Sequence, residues 1–234
     1  MSFLTANLSN HVNKPKIHLR VIELAQKCLF TLTSSKEQKQ EEEETQEKMS
    51  SSKQRPSILD KSLSRGKSEV SLTAYALLFS EMVQYCQNRV KTVNELHNKL
   101  SELGQSVGVR MVELLFVRER NYKREIKLLN ILLFVKGTLW KSLFGKEADK
   151  LDRATDDERI YYLIEKEPLV NRFISVPRDK SSINCAAFIA GIIEAVLTST
   201  GFPAKVTALW HKGTTFMIKF DDNVLARDKQ LEGR

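Results

Sequence analysis

The chain has 234 residues, 41% hydrophobic, 28% charged and 8% aromatic, which describes a soluble globular protein large enough for one domain plus a tail. Its 37 basic and 29 acidic side chains give a formal charge of +8, which steers toward anionic partners but names neither nucleic acid nor membrane. Cys28, Cys86 and Cys185 contain no C-x-x-C pair, which argues against a disulfide framework, and no run reaches the roughly 18–20 apolar residues of a membrane-spanning helix.

Residues 1–60 read as an N-terminal extension. In it Ile22, Ala25, Cys28, Leu29 and Leu32 are spaced for a short amphipathic helix, while Glu23 and Lys27 break the apolar run that a secretory signal peptide needs. Residues 34–67, with the run Glu41 to Glu44 and Ser50-Ser51-Ser52, hold too little apolar surface to offset backbone ordering, so a charged disordered linker is expected.

The folded domain is placed at residues 61–234. From Ser71 onward Tyr75, Leu78, Phe79, Met82, Val83 and Cys86 form one helical stripe. Thr92 and Glu95 make a capping box that opens a second helix, whose stripe runs Leu96, Leu100, Leu103, Val107, Met111, Leu114 and Leu115. A third helix is predicted from about Glu125 to Ala154, apolar nearly all round from Leu128 to Val135 and therefore central to the fold. Arg159 to Ile164 reads as a strand paired with Phe173 to Val176. Asn184 to Thr200 is a helix of small residues ended by Gly201. Val206–Trp210 and Thr214–Phe220 make a hairpin around His211-Lys212-Gly213, with Phe216, Ile218 and Phe220 on one face, and Asn223 caps a last helix. Helices and strands in this order give an α+β fold, helices on a small antiparallel sheet, and not a βαβ repeat.

No catalytic residue, cofactor site or metal site emerges from the motifs. Gly66-Lys67-Ser68 resembles the end of a P-loop, but Lys61 stands at the first glycine position and no strand precedes it. The four histidines lie far apart, without metal-ligand spacing. Cys185 with His211 forms a conceivable nucleophile and base, set against the commoner role of a free cysteine as a small core hydrophobe. Gly104-x-x-x-Gly108 carries Gln105 within it and Glu102 and Arg110 beside it, which excludes a membrane dimer and predicts close packing in a soluble fold. Arg118, Arg120, Lys123, Arg124 and Lys127 suit phosphates of nucleic acid or lipid, yet Tyr122 alone offers stacking, so nucleic acid is not expected as a partner.

From about Ser64 the chain resembles the small-subunit family of the TRAPP (transport protein particle) vesicle-tethering complex, the family that includes subunit 3. The resemblance rests on Glu69-Val70-Ser71-Leu72, Leu133-Phe134-Val135-Lys136-Gly137 and Leu143-Phe144-Gly145-Lys146-Glu147-Ala148-Asp149-Lys150-Leu151. It continues in Asn184-Cys185-Ala186-Ala187-Phe188, Gly201-Phe202-Pro203-Ala204-Lys205-Val206 and Trp210-His211-Lys212-Gly213-Thr214-Thr215. It implies a non-catalytic core subunit without cofactor or metal, bridging TRAPP subunits 2 and 3. That assembly would exchange guanine nucleotide on a Rab GTPase in ER-to-Golgi and Golgi transport. The implied location is cytoplasmic, peripheral at the cis-Golgi network and endoplasmic reticulum. The family's acyl-accepting member carries a cysteine between the second and third helices, where Arg118 to Lys127 has none. A lipid- or acyl-binding module at an anionic membrane surface is the alternative reading.

Overall fold

The computed structural model describes residues 5–6, 17–18, 69–118, 125–176 and 182–232. The helix expected around Ile22 to Leu32, the linker 34–67 and Gly66-Lys67-Ser68 lie outside these residues. Two N-terminal dipeptides are strands: β1 (Thr5–Ala6) and β2 (Ile17–His18), followed by β3 (Glu69–Val70).

Helix α1 (Leu72–Gln87) starts where the Ser71 hydroxyl accepts the Ala74 N–H at 3.2 Å, and it buries Tyr75, Phe79, Met82, Val83 and Cys86 as its stripe predicts. Helix α2 (Val93–Arg118) starts at the expected cap: Thr92 Oγ1 accepts the Glu95 N–H at 3.2 Å. The Glu95 carboxylate reaches back to the Lys91 N–H at 2.9 Å, and this bond lowers its pKa.

The third helix differs from its expected course. It comprises α3 (Leu128–Phe134), a π-turn (Val135–Leu139) and α4 (Trp140–Phe144), and it stops at Gly145, whose φ of 76° suits a left-handed helix end. The helix-favouring residues Lys146, Glu147 and Ala148 conceal that stop. Residues expected to continue the helix instead form β4 (Lys150–Arg153), the edge strand beside β5 (Ile160–Glu165). After the short helix α5 (Leu169–Arg172) comes β6 (Ile174–Ser175), which pairs with β1 and not, as expected, with β5. The neighbours of β5 are β4 and β8, so its hydrogen-bonding edges are already taken.

Helix α6 (Ala187–Ser199) ends before Gly201 at φ 87°, and β7 (Ala204–Trp210) and β8 (Thr214–Phe220) form the predicted hairpin. Its turn requires glycine: Gly213 sits at φ 96°, and a Cβ there would lie 2.4 Å from the Lys166 carbonyl oxygen. Helix α7 (Asp222–Glu232) begins one residue before Asn223, which lies inside its first turn and is not its cap. The main sheet has the antiparallel order β4-β5-β8-β7, with Leu163 opposite Phe216 and Val206 opposite Ile218. Phe216, Ile218 and Phe220 are buried on one face, where Trp140 meets Phe216 edge-on at 5.6 Å. The fold is therefore α+β, helices on a small antiparallel sheet.

The central helix is α6, in place of the predicted third helix. Nearly all of α6 is buried, and its small residues admit α2 to backbone contact. A Cβ at Gly104 would lie 2.0 Å from the Phe188 carbonyl oxygen, one at Gly191 2.0 Å from that of Ser101, and one at Gly108 2.6 Å from that of Ile192. The Gly104-x-x-x-Gly108 spacing thus does what the sequence predicts of it.

Candidate interaction surface

The groups expected to carry chemistry are dispersed. Cys185 is 1% exposed and burial pushes its thiol up to about 12, while burial raises that of Cys86 to about 11. A thiol held so far above neutral pH is a poor nucleophile. His211 sits exposed in the hairpin turn. His97 Nε2 accepts the Asn184 N–H at 2.9 Å, and burial lowers its pKa, so the ring is neutral and its acceptor occupied. Asn184 Oδ1 in turn accepts from Asn171 Nδ2 and the Ala186 N–H, which fixes the start of α6. Among the described residues no group of three or more His, Cys, Asp or Glu side chains is placed to hold a metal ion. No helix among them is long and apolar enough to cross a membrane. Of the basic stretch, residues 119–124 lie outside the described residues.

Two polar clusters support the sheet. Glu165, at the end of β5, is 1% exposed; its carboxylate accepts Trp140 Nε1–H at 3.1 Å and a hydrogen bond from Lys146 Nζ. Burial raises its pKa, with Lys146 acting in the opposite direction. Arg159 donates to both carboxylate oxygens of Asp157 and, at 3.0 Å, to Asp222, tying β5 to α7. The Asp157–Arg159 hydrogen bond holds Asp157 down to about 2. Both clusters are complete without a ligand and read as structural.

The surface itself carries the unusual feature. In and around α3, Leu128, Ile131, Leu132, Phe134 and Val135 are buried, but Ile126, Leu129 and Leu133 are 60%, 57% and 51% exposed. Within the helix the i, i+4 spacing puts Leu129 and Leu133 on one side, together with exposed Asn130, and Ile126 stands exposed just before the helix begins. The prediction of all-round burial is thus corrected: α3 covers the core with one face and shows an apolar stripe on the other. The single polar Asn130 was the only signal of that face in the sequence. Beside the stripe lies a groove of about 400 Å³ whose apolar lining is Leu128, Leu129, Leu151, Tyr161 and Leu225, with charged residues of both signs (Asp152, Arg153, Glu158, Asp228 and Lys229) completing it. The Asp228 carboxylate of α7 accepts the Leu128 N–H at 2.9 Å and so fixes one wall. Leu77 on α1, Val109 on α2 and Leu209 and Trp210 at the end of β7 are further large apolar side chains in contact with solvent. Contiguous apolar exposure of this kind marks a surface covered in an assembly.

Comparisons with known proteins agree on one family. The family described as "Transport protein particle (TRAPP) component" matches residues 75–221. The chain is 63% identical over 177 residues to trafficking protein particle complex subunit 5 of Gallus gallus, spanning 76% of this chain and 94% of that protein. It is 59% identical to subunit 5 of Homo sapiens (77% and 96%), and 28% identical to subunit 31 of Saccharomyces cerevisiae (73% and 83%). Among solved structures, subunit 3 of Naegleria fowleri covalently bound to palmitic acid superposes with a TM-score of 0.58 over 64% of this chain and 95% of that one, at 12% identity. That last likeness is one of fold.

Proposed function

The chain belongs to the TRAPP component family, and we propose that it serves as a non-catalytic core subunit of the TRAPP vesicle-tethering complex, bridging subunits 2 and 3. The domain at residues 61–234 is the assembling unit, and the extension 1–60 is peripheral to it. The assembly acts as a guanine nucleotide exchange factor for a Rab GTPase in ER-to-Golgi and Golgi transport. This chain contributes surface, and it works in the cytoplasm, peripheral to cis-Golgi and endoplasmic-reticulum membranes.

The observation that carries this reading is the identity of 59–63% to proteins named subunit 5, over 94–96% of their own lengths. Physical chemistry supports it through the stripe Ile126, Leu129 and Leu133, which a lone soluble chain has no reason to leave in water. The test is size-exclusion chromatography of the full chain with purified TRAPP subunits 2 and 3, singly and together. Co-elution of all three is expected. Three separate peaks of folded proteins would remove the bridging role.

The same stripe favours a second reading, a lipid- or acyl-binding surface, because Lys127 and Lys136 flank it as anionic headgroups require. Covalent acylation between α2 and α3 is not part of that reading, since residues 118–127 contain no cysteine to accept it. Flotation with phosphatidylserine vesicles at low salt tests it; a chain left wholly at the bottom of the gradient removes it.

A further inference from the structure

Strand β6 is isolated from the main sheet, and its partner among the described residues is β1, with Thr5 opposite Ser175 and Ala6 opposite Ile174. Strand β2 pairs in the same antiparallel way with β3, placing Ile17 opposite Val70 and His18 opposite Glu69, immediately before α1. The N-terminal strands also touch helices, β1 against α1 and β2 against α4. All of these strand residues precede residue 75, where the family match begins, apart from those of β6. Two dipeptides that belong to the extension thus lie on the domain's own strand edges.

We propose that the edge of β6 and the adjoining face of α1 form a strand-accepting surface whose resident occupant is this chain's own N-terminus, and that another TRAPP subunit displaces it on assembly. This rests on the assembly reading above. Main-chain pairing is the general mode by which an extended segment adds to an exposed strand edge, and it places little demand on side-chain identity. The pairing is exchangeable because it is short. A two-residue ladder supplies few hydrogen bonds, each largely offset by those water would make. Ordering the strand and holding it against a distant part of the chain oppose it by a comparable amount. A docked state so nearly balanced shifts with any partner that prefers the bare edge. Helix α1, which β1 touches, also carries half-exposed Leu77.

A reversible lock tests this in the full chain. Thr5 and Ser175 are directly opposed, where an antiparallel pair brings Cα atoms to about 4.5–5.5 Å, within disulfide range. Thr5→Cys with Ser175→Cys, in a Cys28→Ser background, should close a disulfide under mild oxidation, read by peptide mapping. The buried Cys86 and Cys185 stay out of reach. The oxidised form should bind TRAPP subunits 2 and 3 about tenfold or more weakly than the same protein after reduction, because the competent fraction is removed. Thr5→Pro with Ala6→Pro, which removes the ladder donors, should bind at least as tightly as wild type. Failure of the cross-link to form overturns the docked strap whatever the partners do. A cross-link that forms with no effect on binding overturns the competition. A cross-link that forms while neither redox state binds any subunit overturns the assembly reading and the competition with it, leaving the docked strap as a structural feature.

Discussion

Substituting Gly104 by alanine probes the contact on which the helical layer is built. The added Cβ would lie 2.0 Å from the Phe188 carbonyl oxygen and 3.1 Å from the Ile192 nitrogen, both main-chain atoms in or beside α6. A carbon and a carbonyl oxygen approach no closer than about 3.3 Å even in favourable C–H···O contacts. The overlap therefore exceeds about 1 Å, and no side-chain rotation relieves it. The helices must separate by about that distance, and a gap of 0.5–1 Å forfeits roughly a quarter to a half of each dispersion contact across it. Leu100, Leu103 and Val107 on α2 and Ile192, Ile193 and Val196 on α6 are the buried side chains affected. Overpacking costs about 1–3 kcal/mol where side chains yield and more where they cannot; helix propensity returns about 1 kcal/mol. The expected net loss is about 3 kcal/mol, which at a urea m-value of about 2 kcal/mol/M lowers the midpoint by about 1.5 M. Gly137→Ala is the internal control, since its Cβ would meet only Glu147 Oε1 at 4.0 Å; its midpoint should stay level or rise. Urea unfolding of the full chain followed by circular dichroism decides it. A Gly104→Ala midpoint equal to that of wild type would refute the argument from close approach.

Thiol chemistry offers a second test: with Cys185 pushed up to about 12 and Cys86 to about 11, neither should label with iodoacetamide at pH 8 until urea unfolds the chain, as mapped by mass spectrometry. For Asp157, the depressed folded pKa means that its contribution is present above the unfolded value of about 3.9 and lost as pH falls toward 2. Its carboxyl carbon should titrate near 2 by NMR, and return to the ordinary range in Arg159→Gln. Glu165 has the opposite sign, because a raised acid pKa favours folding at low pH and the benefit fades as pH rises through the folded value. Glu165→Gln should therefore compare more favourably with wild type at pH 7 than at pH 4 in thermal melts. Leu129→Ser with Leu133→Ser should cost about 1–2 kcal/mol of stability, since nearly half of each side chain is already covered, while leaving the chain folded and reducing self-association and partner binding in sedimentation.

Most of the fold was legible because periodicity reports burial. The stripes of α1 and α2, the hairpin with Phe216, Ile218 and Phe220 on one face, and the small residues of α6 all follow from spacing alone. The misreadings share a cause, competition between local propensity and long-range pairing. Lys146 to Asp149 favour a helix locally, but Gly145 at positive φ ends it, and β4 gains a ladder with β5 that no local signal announces. Phe173 to Val176 has strand character, and only the tertiary arrangement decides that its partner is Thr5–Ala6 and not β5. The exposed face of α3 was hidden because a buried helix and one waiting for a partner have the same composition; Leu129 and Leu133 look like core in sequence.

The size of that face limits what it can do alone. Fully burying a leucine or isoleucine side chain contributes about 1.5–3 kcal/mol. Ile126, Leu129 and Leu133 already have between two-fifths and half of their surface covered. Completing their burial therefore adds about 1 kcal/mol each, or about 3 kcal/mol together, less than the roughly 4 kcal/mol of a millimolar complex. A stable interface needs about 1,200–2,000 Å² in total, so the stripe must act with other surface. The groove beside it, walled by Leu151, Tyr161 and Leu225, is the nearest extension. Leu77 and Val109 on α1 and α2, with Leu209 and Trp210 on β7, lie on other elements. Apolar exposure divided among separate elements suits a subunit that holds more than one neighbour, each contact modest and the assembly stable through their combination.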